Sequence, residues 1–304
     1  MTAQSPPYER ICLICNKKSG QNSKDANHID RALATLGDGA WRAEWDSDTD
    51  MDETVDAEMK KRPDLVIAAG GDGTAMAVAA AMIGRGVPFS VLPLGTFNFF
   101  ARGLGLSEDP EVAARQIVSG TPHDIRVGEA NGQVFLNNAS LGIYPSILQE
   151  RETVYSRWGR WRAAAHWSVV KTFMRFQRPM KVTLTTDEGT EQRRTSLIFV
   201  ARSAYQLRLF GIEDEGAIED DRFAVLVARA RGRQALFRLA WRLTRKSLVE
   251  GRDYDLYDTA KLEISVSSRR ALLAFDGEKR REPSPFRFRM SDRPLTIILP
   301  AEED

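Results

Sequence analysis

The sequence predicts two domains: an α/β domain, a parallel sheet flanked by helices, over residues 1–123, and a mainly β domain over 124–293. Two observations predict this. Between Arg10 and Gly120, short apolar runs alternate with stretches of helical period, as in strands joined by crossover helices. Beyond Thr121-Pro122 come short alternating runs separated by Gly, Asn and Asp, as in antiparallel hairpins. A length of 304 residues, with 42% hydrophobic and 28% charged side chains, is enough for two ordinary cores.

The elements follow in order. "RICLICN" reads as the first strand and "NHIDRALATLG" as a helix closed by Gly37. "AWRAEW" is a second strand and "DETVDAEMKKR" a second helix. The strand "DLVIAAG" runs into a glycine corner and an apolar helix, and "PFSVLPLG" is the next strand. "DPEVAARQIVSG" is a helix with Asp109 as N-cap and Pro110 at its first position. In the second half, "DIRVGEANGQVFLNNAS" reads as a hairpin turning at Asn131-Gly132, and "KVTLTTDEGTEQRRTSLIFVA" as another. "FAVLVA", "KLEISVS", "ALLAFDGE", "FRFRM" and "LTIILP" are further strands, interrupted by two arginine-rich helices.

Charge and cysteines exclude several functions. A formal net charge of +1 argues against bulk nucleic-acid binding. "MTAQSPPYER" carries no signal pattern, and no run approaches the roughly 20 apolar residues of a membrane span, so a cytoplasmic protein is expected. Cys12 and Cys15 are spaced C-x-x-C, but in an extended run they point to opposite faces. With no second cysteine pair, they read as inert strand thiols.

Three corners carry chemistry. In "GGDGT", Gly70, Gly71 and Gly73 let backbone approach a ligand, and Thr74 opens a helix whose free N–H groups favour phosphate. Asp72 beside phosphate calls for a metal such as Mg²⁺ between them, or else serves as a helix cap. A second corner, "LPLGTFNFFARGLGL", places Thr96, Asn98 and Arg102 near another helix start. A third, "NKKSG", ends the first strand at Asn16 to Gly20. Parallel strands bring such ends side by side, where open α/β sheets bind ligands, and a cleft between two domains is the default site.

"NKKSG", "GGDGT", "PLGTFNFFARGLG" and the late "FDGE" stand in the order and spacing of the diacylglycerol-kinase catalytic-domain family, which the chain resembles over nearly its whole length. That family includes bacterial lipid kinases and sphingosine kinases and is distantly related to NAD kinases. The resemblance implies an N-terminal α/β domain, a β-sandwich-like second domain, ATP between them, and a last strand near 294–300 returning to the first domain. It implies nucleotide contacts from Asn16, Ser19 and Gly20, from Gly70, Gly71, Asp72, Gly73 and Thr74, and from Thr96 and Asn98, with Asp46 a looser match. It places the catalytic base at "AFDGEKR", either Glu278 or Asp276, where transfer of a γ-phosphoryl group needs a carboxylate to take the hydroxyl proton. "AIEDDRFAVL" resembles the segment that holds a structural Mg²⁺, with Asp221 and the backbone of Ile218 and Phe223 as ligands. Here Arg222 stands where a glycine is usual, and an acidic surface turn is the other reading.

A second departure is Phe99, where many members have an aspartate. Lower activity, another carboxylate such as Asp72 in its role, or a different acceptor would each account for it. The arginine-rich helices carry Trp158, Trp161, Trp167 and Phe173 in one and Phe237 and Trp241 in the other. Such helices suit peripheral contact with an anionic membrane, where a lipid acceptor would be met, or else pack their aromatics on the β domain. The function expected is that of an ATP- and Mg²⁺-dependent lipid kinase, with diacylglycerol or a related lipid alcohol as acceptor. The alternatives are a kinase of a soluble alcohol and a non-catalytic nucleotide- or lipid-binding regulator.

Overall fold

A computed structural model describes residues 8–17, 23–143, 179–212 and 216–301. One compact unit runs to Val127 and is completed by the chain from Ser291; the other is Gly128–Met290.

In the first unit, β1 (Ile11–Asn16), β2 (Ala40–Trp45), β3 (Leu65–Gly70) and β4 (Phe89–Pro93) are parallel, and β18 (Leu295–Leu299) and β5 (Thr121–Ile125) complete a sheet of order β2-β1-β3-β4-β18-β5. β18 is parallel to β4 and antiparallel to β5. Its central strands are buried along almost their whole length, which is why β3 reads "LVIAAG" without polar alternation. The helices α1 (Ser23–Leu36), α2 (Met51–Met59), α3 (Asp72–Met82), α4 (Phe99–Gly103) and α5 (Pro110–Ser119) connect the strands. Asp109 caps α5, accepting from the N–H groups of Glu111 and Val112 at 2.9 and 3.1 Å, and Pro110 follows it. Cys12 and Cys15 are free and buried in β1, where burial pushes the Cys15 thiol up to about 12.

The second unit holds two antiparallel sheets. One has the order β10-β9-β14-β17-β6-β7, the other β13-β12-β11-β8-β15-β16. Their strands are β6 (Gly128–Ala130), β7 (Gln133–Phe135), β8 (Asn138–Gly142), β9 (Met180–Thr186), β10 (Gly189–Thr195), β11 (Leu197–Ala201), β12 (Phe223–Ala228), β13 (Tyr254–Thr259), β14 (Leu262–Val266), β15 (Arg270–Phe275), β16 (Glu278–Pro283) and β17 (Phe286–Met290). The sheets meet through Phe135 and Phe288 of one and Phe223 of the other, with ring centroids 6.0–6.3 Å apart. The helices α6 (Ala204–Leu209), α7 (Gly216–Glu219) and α8 (Arg233–Thr244) lie in the connections.

The hairpin read across "DIRVGEANGQVF" divides. Its first part, β5, belongs to the first unit; only β6 and β7 form the hairpin, turning at Asn131 and Gly132, both at positive φ. Among the described residues no helix is long and apolar enough to cross a membrane. Residues 144–178, with Trp158, Trp161, Trp167 and Phe173, lie outside the described residues.

Candidate active site

The parallel register sets the predicted residues in a row along one edge of the first sheet. Asn16 ends β1 beside Trp45 of β2, Asp46 follows Trp45, Cys15 neighbours Ala69, and Gly70 ends β3 beside Pro93 of β4. The strand order reverses direction between β1 and β3, which marks the ligand crevice of an open α/β sheet. Asp46 folds back on its own loop: Oδ1 accepts from the Asp48 N–H at 3.2 Å and its carbonyl from the Thr49 N–H at 2.8 Å. Ser19 and Gly20 lie outside the described residues.

The two glycine corners touch. A Cβ on Gly95 would stand 2.5 Å from the Gly71 Cα, and one on Gly71 3.2 Å from the Gly95 Cα. Leu94 N–H donates to the Gly70 carbonyl at 3.0 Å. Only glycine permits this approach, so Gly95 is as necessary as the residues of "GGDGT"; its place in "PLGT" is the sequence signal. Gly70 is required for another reason, since its Cβ would meet Thr74 Oγ1 at 2.6 Å. The Thr74 side chain is accordingly buried against β3. Gly71 caps α3 without a side chain, and the first helical bond runs from Ala75 N–H to the Gly71 carbonyl. The N–H groups of Gly73 and Thr74 therefore have no backbone acceptor within the helix, that of Asp72 lies beside its own carboxylate, and the dipole adds positive potential there.

Asp72 is half-buried, and Oδ1 accepts the Phe100 N–H at 3.1 Å. It caps α4 from across the corner and ties the two loops together. Burial pushes its carboxyl above the ordinary range, against backbone donors of Phe100, Phe99 and Asn98 that pull it down. Asn98 is at φ 48° and buried, with Oδ1 accepting from Gly95 N–H at 2.8 Å and Nδ2 donating to the Gly95 carbonyl at 3.1 Å. Both ends of that amide shape the loop, and Thr96 is its exposed hydroxyl. Phe99 is half-buried and stacks on exposed Phe97 at 5.4 Å, whereas Phe100 enters the core.

In the second unit the "DG" turn separates the two carboxylates chemically. Asp276, at φ 46°, accepts the N–H of Leu136 on Oδ2 at 2.6 Å, and those of Asn137 and Asn138 on Oδ1 at 2.9 and 3.1 Å. Its own N–H donates to the Asn138 carbonyl at 3.0 Å. Asp276 is thus a clasp between the turn and the start of β8. Glu278 opens β16, exposed, and its carboxylate has no partner among the described residues.

The residues assigned to structural Mg²⁺ do not fit it. The Ile218 carbonyl accepts Arg202 Nη1 at 2.7 Å, and Asp221 Oδ1 pairs with Arg202 Nη2 at 2.5 Å. Phe223 opens a β12–β13 ladder, opposite Thr259. Among the described residues no group of three or more His, Cys, Asp or Glu side chains could hold a metal. Arg202 was not singled out by the sequence because the contact joins it to residues well downstream.

Residues 10–130 match the family model described as the diacylglycerol kinase catalytic domain. A Pseudomonas aeruginosa protein named "Probable lipid kinase YegS-like" is 33% identical over 136 residues, covering 44% of each chain. A diacylglycerol kinase of Bacillus subtilis is 44% identical over 82 residues, 26% of this chain and 27% of that one. The matches thus span less than half the length of these relatives. In fold, a diacylglycerol kinase crystal structure from Bacillus anthracis superposes with a TM-score of 0.68 at 19% identity, over 97% of this chain and 98% of that one. An NAD kinase from Archaeoglobus fulgidus in complex with ATP gives 0.51 at 14% identity, over 94% and 92%. The fold is similar to those of these diacylglycerol kinase and NAD kinase structures, and residues 10–130 are similar to the diacylglycerol kinase catalytic-domain family.

Proposed function

We propose that this protein is an ATP-dependent lipid kinase that transfers the γ-phosphoryl group to the hydroxyl of diacylglycerol or a related lipid alcohol. The observation that carries the reading is the contact of Gly71 with Gly95 at the C-terminal edge of the parallel sheet. It leaves a side-chain-free cradle beside the uncapped first turn of α3, a donor set suited to a polyphosphate. Mg²⁺, arriving with the nucleotide, would neutralise charge on the phosphates. Asp72 holds the second corner in place through α4. Glu278, the carboxylate with no other partner among the described residues, orients the acceptor hydroxyl and takes its proton. Asp276 positions the turn that carries Glu278.

A lipid acceptor is supported by the relatives' names and by α8. Phe237 and Trp241, one turn apart, are 45% and 62% exposed, with Arg245 lying 4.6 Å over the Trp241 ring. Aromatics exposed among cations suit the headgroup region of an anionic bilayer. One observation favours a second reading, a non-catalytic binder: Phe99 offers an aromatic face at the position where the family resemblance implies an aspartate.

Incubation with γ-labelled ATP, Mg²⁺ and mixed micelles of a total lipid extract tests the proposal. Organic-phase label that disappears in Glu278→Gln supports the kinase and identifies its acceptor class. ATP binding with no label, restored by Phe99→Asp, would instead establish the binder.

A further inference from the structure

Arg202 leaves the end of β11 with its N–H donating to the Asn137 carbonyl at 2.8 Å, and its side chain is only 8% exposed. A buried guanidinium requires acceptors for its donors. Two lie in α7 and on the turn from it to β12: the Ile218 carbonyl at 2.7 Å and Asp221 Oδ1 at 2.5 Å. The Ile218 carbonyl also receives the Asp221 N–H at 3.3 Å, so both of its lone pairs are engaged. Asp221 stands at φ 55°, a left-handed conformation for a residue with a side chain, and the ion pair holds it there. The neighbouring Arg222 turns away, with Nε 2.5 Å from Asp258 Oδ1 and Nη2 3.3 Å from Asp187 Oδ2.

We infer that the Arg202 guanidinium is the resident cation of this turn, holding two of the three oxygens that the family resemblance would assign to Mg²⁺. The second unit therefore folds without a divalent ion there. A cation and a fork of N–H donors satisfy a carbonyl and a carboxylate, the task a hard divalent ion performs with its oxygen shell. A Mg²⁺ added to the same oxygens would meet a buried like charge and a carbonyl with no lone pair to give. The inference is independent of the kinase reading, because it concerns folding and not turnover.

The test uses the full chain, chelator-treated and without nucleotide. Thermal unfolding is followed in EDTA, in millimolar MgCl₂, and in NaCl of matched ionic strength. The wild-type midpoint is expected to be the same in all three. Arg202→Ala is expected to lower it in EDTA by roughly 4–10 °C, since Asp221 and the Ile218 carbonyl lose their cation. MgCl₂, but not NaCl, should return part of that loss by entering the vacated site. Arg202→Lys keeps the charge but not the fork. It should fall between the two and be insensitive to MgCl₂, which keeps the test open if Arg202→Ala does not fold. Stabilisation of the wild type or Arg202→Lys by MgCl₂ beyond the NaCl control would overturn the inference. So would an unmoved Arg202→Ala midpoint, or an equal loss for that variant in all three solutions.

Discussion

Asp276 and Glu278 stand two positions apart in one turn, and the structure assigns them opposite consequences on substitution. In Asp276→Asn, Oδ1 can still accept from Asn137 and Asn138, but the new Nδ2 faces the Leu136 N–H, donor against donor, where Oδ2 accepted at 2.6 Å. One charge-assisted hydrogen bond worth about 1.5–3 kcal/mol is lost, and the remaining two fall to neutral strength. Discounted for the half-exposed carboxylate, the cost is about 2–4 kcal/mol, or roughly 4–16 °C in a unit of this size. Glu278 is exposed with no partner among the described residues, so Glu278→Gln should leave stability within about ±0.5 kcal/mol. Turnover in Glu278→Gln should fall by about 10²–10⁴-fold, the usual worth of a general base. Circular-dichroism melts beside initial rates of lipid phosphorylation read both quantities. An Asp276→Asn protein of wild-type stability that loses turnover as completely as Glu278→Gln would refute the separation of clasp from base.

Gly95→Ala drives a Cβ into the Gly71 backbone, so it should lower the melting temperature and weaken ATP binding by at least about tenfold, measurable by calorimetry. Asp72→Asn keeps an acceptor for the Phe100 N–H and removes a buried charge. Because burial raises the Asp72 pKa above its ordinary 3.8, the wild type holds its advantage below that pH and loses it as pH rises through the folded pKa. The stability difference between the two proteins should therefore move in favour of Asp72→Asn across that window in pH-dependent urea melts, and a flat difference would contradict the burial. Trp241→Ala and Phe237→Ala should reduce co-sedimentation with phosphatidylglycerol vesicles several-fold without altering the melt, since both side chains are exposed.

The alternation of strand and helix up to Gly120 was legible because each central strand is a continuous apolar run and each corner is marked by glycine. β5 was not, for "TPHDI" is an exposed edge strand without apolar alternation, and its assignment depends on pairing with β18 far along the chain. The glycine corners were legible as close backbone turns, but the contact of Gly71 with Gly95 was not. The "DGE" motif pointed to a carboxylate without separating Asp276 from Glu278, because the amides that engage Asp276 lie at Leu136–Asn138. The acidic "EDD" run resembled a metal segment, and only the tertiary fold brings Arg202 onto it. For α8, periodicity alone left two orientations open, and the structure turns Phe237 and Trp241 outward.

Phosphoryl transfer to a lipid alcohol with Glu278 as base is the proposed reaction. Its most direct test is the ratio of ADP formed to lipid phosphate formed by the wild type and Glu278→Gln, with diacylglycerol in mixed micelles as acceptor. One lipid phosphate per ADP is expected, with both products falling together in the variant. ADP formed without lipid phosphate, or lipid phosphate undiminished in Glu278→Gln, would contradict it.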